Sequence, residues 1–198
     1  MGQVIALVGA YLLGSLDWAV VVGRMHGVDI HSVGSGNPGT SNVLRTLGRG
    51  PAAMVLAGDM MKGVIAAAVG WWAGGLGDPA SAPWAYAAVL AAVVGHSYPV
   101  FHRFKGGKGV ATAGGGLVFI IPIASLGLAA TWVVLAKATK VASISSLAVV
   151  GLSIPAALVS GARGWALVWL AATVVLIVWR HRPNIERMIK GSEQRVPT

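Results

Sequence analysis

The feature that most limits what this chain can become is a run without charge. Ala111–Ala136 spans 26 residues and contains no Asp, Glu, Lys or Arg. Comparable apolar stretches cover about Val4–Gly23, Pro51–Trp72, Trp84–Val100, Ser146–Ser160 and Trp165–Trp179. Soluble domains carry about 25% charged residues, whereas here the share is 11%. Stretches of ~20 apolar residues are the length of a helix that crosses a bilayer. Val4–Gly23 lacks a basic leader and an A-x-A cleavage pattern, so it reads as a retained span. The expectation is an all-α, polytopic membrane protein forming one domain over residues 1–198.

The long uncharged run decides the topology. One span needs ~20 residues and two need ~40, and Pro122 falls near the middle. Read as a single span, the run leaves seven basic residues on each side of the membrane. Read as two segments turning near Pro122, it leaves thirteen on one side and Arg163 alone on the other; Lys62, inside a span, is left out of both counts. Basic residues concentrate in cytoplasmic loops, so the second reading is preferred. It predicts seven transmembrane segments, the fourth and fifth short, with the N-terminus outside and the C-terminus cytoplasmic. Seven of the eight tryptophans fall near segment ends, as an interfacial belt would.

Three polar clusters then share the cytoplasmic face. The first is Val33–Arg45, with Gly34, Gly36 and Gly39 interleaved with Ser35, Asn37, Thr40, Ser41 and Asn42. Thr40, Ser41 and Asn42 are N-cap types ahead of an apolar helix start, and Arg45 follows Ser41 by one helical turn. The stretch reads as an anion cradle at a helix N-terminus or as a turn. The second is Lys105-Gly106-Gly107-Lys108-Gly109, preceded by His96 and leading through Thr112 into the uncharged run. It lacks the spacing of a P-loop. The third holds His181 and Asn184. Ser143, Ser145 and Ser146 join the same face, either as helix caps, the expected role, or as lining of a cavity.

Inside the segments, Asp59 and Lys62 are three apart and share a helix face. Such a pair either serves function or fixes packing. Asp17 is expected to be an interfacial acid. Arg182, Arg187, Lys190 and Arg195 are expected to be lipid-facing or topogenic. The absence of cysteine removes disulfides and thiolate metal sites. Carboxylates are too few at the polar face for Mg²⁺. No metal and no cofactor is expected, and nucleic acid is excluded as a partner because there is no soluble basic domain.

The stretches GSGNPGTSNVLRTLG, GHSYPVFHRFKGGKGVATAGG and HRPNIERMIKGSE resemble the three motifs of the bacterial acyl-phosphate:glycerol-3-phosphate acyltransferase family (PlsY type). The DxxKG at Asp59–Gly63 agrees, and the resemblance covers nearly the whole chain. It implies transfer of an acyl group from acyl phosphate to sn-glycerol 3-phosphate, the first acylation of phospholipid synthesis, at the bacterial cytoplasmic (inner) membrane. By position it implies that Ser35, Arg45, His181 and Asn184 are needed for activity. Gly106, Gly107 and Gly109 would then bind glycerol 3-phosphate, and Glu193 would be structural. Gly34, Gly36, Asn37, Thr40, Ser41, Asn42, His96, Lys105, Lys108, Thr112 and Ser143 are the expected further contributors to phosphate binding, with Asp59 and Lys62 in support. Pro38 stands where small residues also occur in the family; it stiffens the loop and removes no ligand. The expected partners are the two substrates and membrane lipids, with other acyltransferases of phospholipid synthesis as functional neighbours and no obligate protein partner.

An acyl phosphate is an activated mixed anhydride, so no covalent intermediate is required. Arg45 and either Lys105 or Lys108 would clamp phosphate. The proton acceptor stays open among His181, His96 and a substrate phosphate oxygen. The rival reading is an anion transporter with Asp59 and Lys62 along its path, or a subunit without chemistry. Polar groups gathered at one face, and the lack of an inverted repeat, weigh against transport.

Overall fold

A computed structural model describes residues 1–196, two short of the predicted domain range. Among them there are helices and turns and no strand. In order, the helices are α1 (Gly2–Gly14), α2 (Trp18–Met25), α3 (Thr40–Thr46), α4 (Arg49–Ala73), α5 (Pro83–Ser97), α6 (Val110–Ile120), α7 (Pro122–Thr139), α8 (Ala142–Val159), α9 (Trp165–Arg180) and α10 (Arg182–Ile189). Five stretches are long and apolar enough to cross a membrane: 2–25, 49–73, 83–102, 122–139 and 142–159. A sixth, α9 with α10, qualifies only as a pair bent by 53°. Helix α6 is apolar but has 11 residues.

Helices α4 and α5 form the centre, with α1, α6 and α9 packed around them. Lipid offers little hydrophobic gain for helix association, so close approach through small residues carries more of the packing. Gly63 of α4 lies against the Thr112 carbonyl of α6, and Gly95 of α5 against the Tyr11 carbonyl of α1; neither site has room for a Cβ. Helix α7 is peripheral, burying only Ser125 and Ala136 and packing mainly on α8.

The break in the uncharged run falls where Pro122 predicted it, with Pro122 opening α7. Helix α6 packs on the turn at 79–81, which lies beside Gly161, at the end of the bundle that carries the short 74–82 and 160–164 connections. Lys140 lies at the other end, beside Val196, whose N–H it accepts. Chain direction therefore reverses at Pro122. One expectation fails: the fifth segment is not short. Helix α7 runs 18 residues, because it continues past Ala136 through Lys137 until Lys140 adopts a left-handed conformation.

The first segment forms the expected span, 2–25, with a local interruption. It breaks at Ser15–Asp17. Asp17 is buried and hydrogen-bonded: its Oδ1 accepts from the Ala19 and Val20 N–H groups as the N-cap of α2. The Gly14 and Leu16 carbonyls near the break accept from Lys62 Nζ at 3.1 and 2.8 Å. An N-cap acid competes with helix continuation, and a buried ammonium satisfies carbonyls at the break. Asp17→Ala removes this cap and is expected to cost about 1 kcal/mol, read as a lower thermal midpoint in detergent.

Candidate active site

The first glycine loop is held from inside by Asn42. Its Oδ1 accepts from Ser35 N–H at 2.9 Å, and its Nδ2 donates to the Val33 and Ile30 carbonyls at 3.0 and 3.3 Å. Asn42 is thus a brace. The cap types ahead of α3 do not cap it: the N-cap is Gly39, and no side chain bonds there. Ser35 faces outward, with its Oγ 3.4 Å from Arg45 Nη2. Two polar atoms beside this loop, Thr40 Oγ1 and Arg45 Nε, are buried without a hydrogen-bond partner. Burial lowers the Arg45 guanidinium below its usual range, opposed by Glu193 and reinforced by Arg187.

The second loop folds onto the first. Gly107 N–H donates to the His96 carbonyl at 3.0 Å. A Cβ on Gly107 would overlap His96 Nε2 and sit 2.7 Å from the Pro38 carbonyl. Only glycine lets the motif holding Pro38, the ring of His96 and the KGGKG backbone meet at one point. Arg180 fastens the loop from α9: its Nη2 donates to the Gly106 carbonyl at 2.7 Å and its Nε to the Gly107 carbonyl at 3.1 Å. Its guanidinium also stacks 5.0 Å over the Tyr98 ring.

The two lysines of this loop separate. Lys105 is exposed. Lys108 is largely buried, and that burial, with the charges of Arg187, Arg45 and Arg180 and against that of Glu193, lowers its ammonium to about 8. An ammonium that binds phosphate must keep its proton. The expectation is that kcat/KM falls as pH rises through about 8, and that Lys108→Arg removes this alkaline limb, measured as a pH–rate profile from pH 6 to 10.

The third cluster closes the ring. Asn184 Nδ2 donates to Ser143 Oγ at 2.8 Å and also to Glu193 Oε1. Ser143 Oγ donates to the same Oε1 at 2.7 Å, and Arg187 Nε donates to Oε2 at 2.7 Å. Burial would raise the Glu193 carboxyl, but the bonds from Ser143, Asn184 and Arg187 outweigh it and hold it below its usual range. Asn184 Oδ1 is buried without a partner. His181 Nδ1 lies 2.8 Å from the Ile177 carbonyl, so it carries the hydrogen. Burial, then the charge of Lys108, pulls this imidazole down to about 4. At neutral pH it is uncharged, with an Nε2 lone pair free to accept.

Two expectations change here. The serines of α8 do not cap it: Val141 is its N-cap, Ser143 bonds Glu193, and Ser146 accepts from Trp132 Nε1. Arg187 is no lipid-facing charge, since it pairs with Glu193. Arg182 does face outward, stacked 3.4 Å over Trp179. Gly34, Gly36, Asn37 and Ser41 lie along the first loop and the start of α3. Gly109 turns with a left-handed φ of 85° into α6, where Thr112 is buried with its hydroxyl unpartnered. Among the described residues no three His, Cys, Asp or Glu gather as metal ligands.

One end of the bundle therefore gathers Arg45, Lys108, Arg180 and Arg187, and among the described residues Glu193 is the acid paired there, with Arg187. The sequence profile of the family described as "Glycerol-3-phosphate acyltransferase" matches residues 4–191. The chain belongs to this family. A glycerol-3-phosphate acyltransferase of Rubrobacter xylanophilus is 43% identical over 200 residues, covering 98% of this chain and 96% of its own length. One from Pseudomonas paraeruginosa is 42% identical, covering 93% and 95%. Crystal structures of PlsY, an integral membrane glycerol 3-phosphate acyltransferase, superpose with TM-scores of 0.93 and 0.91 in the glycerol 3-phosphate and lysophosphatidic acid forms. Both are 34% identical and are matched over 100% of this chain and 97% of theirs. Like PlsY, this family member is a multi-pass membrane protein.

Sequence reading missed Arg180 in this glycerol-3-phosphate acyltransferase. It stands among four basic residues between 180 and 190, and nothing in its position marks it as the one that reaches back to Gly106 and Gly107.

Proposed function

We propose that this protein transfers the acyl group of an acyl phosphate to the 1-hydroxyl of sn-glycerol 3-phosphate, giving 1-acyl-sn-glycerol 3-phosphate and inorganic phosphate. The observation that carries the reading is the excess of cations at one end of an apolar bundle: Arg45, Lys108, Arg180 and Arg187 against Glu193. Two phosphate-bearing substrates supply the missing negative charge, and the lipid-facing helices accommodate the acyl chain. In this reading the seven apolar segments each cross the bacterial cytoplasmic membrane, with the N-terminus outside and the site on the cytoplasmic face.

The chemistry follows from the groups present. The glycerol hydroxyl oxygen attacks the acyl carbonyl carbon, and the bond from that carbon to the phosphate oxygen breaks with its electron pair leaving on phosphate. Ser35, the loop amides and Arg45 stabilise the negative charge that builds on the carbonyl oxygen and the departing phosphate. Lys108 holds the glycerol phosphate, while Asn184, whose Nδ2 is fixed by Ser143 and Glu193, turns its unpartnered Oδ1 to accept from a glycerol hydroxyl. His181, uncharged, accepts a hydrogen bond from the attacking hydroxyl through Nε2 and orients it. With its imidazole near 4, His181 is a weaker base than a phosphate whose second ionisation lies near ~6. The hydroxyl proton therefore ends on the departing phosphate.

The identity of the donor has its own test. Purified protein in detergent is given radiolabelled glycerol 3-phosphate with either palmitoyl phosphate or palmitoyl-CoA. Labelled lysophosphatidic acid is expected with the first donor only; equal or greater product from the CoA ester would reassign the donor.

A further inference from the structure

The acyl-transfer reading leaves one buried cluster unused. Asp17, Asp59, Lys62 and His96 are each 2–6% exposed, and they lie beneath the junction of the two glycine loops. At the centre is Lys62 Nζ. It is 3.1 Å from the Gly14 carbonyl, 2.8 Å from the Leu16 carbonyl and 2.9 Å from His96 Nδ1. Asp59 Oδ1 lies 2.8 Å away as an ion pair, but outside hydrogen-bonding alignment. The three N–H groups of the ammonium are thus taken by two carbonyls and the imidazole.

This arrangement fixes the hydrogen on His96. An ammonium only donates, so the ring nitrogen facing it at 2.9 Å presents a lone pair. A neutral imidazole with its lone pair on Nδ1 carries its hydrogen on Nε2. The competing arrangement would direct an Nδ1–H at Asp59 Oδ1, 3.5 Å away. That distance is beyond ordinary N–H···O bonding, and it would press an N–H against the ammonium.

The Nε2 end has a defined location. It occupies the space that a Gly107 side chain would need, beside the Pro38 carbonyl. Among the described residues Nε2 has no hydrogen-bond partner there, although the opposite nitrogen is held by Lys62 of the ion pair. Holding a neutral ring this firmly, with its donor aimed at the meeting point of both loops, suits a group that binds an anionic oxygen.

We infer that His96 is a catalytic residue that donates its Nε2–H to an anionic oxygen of the acyl phosphate, and that Asp59 and Lys62 are positioning residues that hold it in this tautomer. The inference rests on the acyl-transfer reading and removes His96 from the candidates for general base. It also gives a task to the Asp59–Lys62 pair.

The test has two arms. In the kinetic arm, His96→Ala is expected to lower kcat by about 10²–10³-fold, the range for one lost oxyanion donor, with KM for glycerol 3-phosphate changed less than about threefold. His96→Gln keeps an amide N–H at similar reach and is expected to stay within about tenfold of wild type. Loss in His96→Gln equal to that in His96→Ala, in protein that remains folded, would overturn the donor role, because a base cannot be replaced by an amide. In the spectroscopic arm, ring-¹⁵N histidine labelling of the whole protein, with His96 assigned through His96→Gln, is expected to show a pyrrole-type Nε2 and a pyridine-type Nδ1. Lys62→Met should shift that pattern toward the Nδ1–H form and lower kcat. A wild-type ring protonated on Nδ1 would overturn the inference. Wild-type protein that shows the expected tautomer but no turnover would fail the acyl-transfer reading instead.

Discussion

Arg45→Ala is expected to reduce kcat/KM for acyl transfer by about 10²–10³-fold without a matching loss of stability. Truncating one member of a buried, hydrogen-bonded charge pair costs about 2–5 kcal/mol, and each 1.4 kcal/mol is about tenfold. Among the described residues Arg45 makes one long side-chain hydrogen bond, 3.4 Å to Ser35 Oγ, and its Nε is buried without a partner. Little of the fold depends on it, so the loss should appear in turnover while the thermal midpoint stays close to wild type. Arg45→Lys should recover only a small part, since a point ammonium lacks the fork that grips two phosphate oxygens. Initial rates with palmitoyl phosphate, together with a melting curve of the same preparation, check both halves. Near-normal turnover in Arg45→Ala would remove the guanidinium from the site.

Gly107→Ala is expected to be about as damaging, by a different route. The added methyl meets the His96 ring and the Pro38 carbonyl at 2.7 Å, and the Gly107 backbone is pinned through its N–H to His96 and its carbonyl to Arg180. The loop must shift as a unit, which moves Lys108 with it. A displacement of about 1 Å in a positioned group costs on the order of 10²-fold in rate. Gly114→Ala, a few residues along α6, is the matched control. A Cβ there meets nothing within 4 Å, so it is expected to leave turnover unchanged and to favour the helix slightly. Equal rates in the two variants would show that the packing at Gly107 does not matter.

How much of this was legible in the sequence differs by element. The turn at Pro122 followed from a charge count and a proline, because bilayer thickness and basic loops act on the chain locally. The three polar motifs could be placed on one face for the same reason. The break at Ser15–Asp17 could not, although Asp17 is a good cap residue. What holds it is Lys62, 46 residues away from Leu16, and no local pattern records that partner. Arg180 and Arg187 were hidden among neighbouring basic residues whose roles differ only through what they touch. The serines of α8 look like caps in sequence. Glu193 and Trp132 claim two of them in the fold. The motif glycines signalled a close backbone approach, but not that the His96 ring fills the space beside Gly107.

The proposed reaction joins two phosphate-bearing substrates at one cation-rich site by direct acyl transfer. It is tested most directly by giving the purified protein palmitoyl phosphate and glycerol 3-phosphate and following lysophosphatidic acid and inorganic phosphate together. Both are expected to appear at equal rates, and neither above the uncatalysed background when glycerol 3-phosphate is omitted. Phosphate released without lysophosphatidic acid, or no product at all from folded protein, would contradict it.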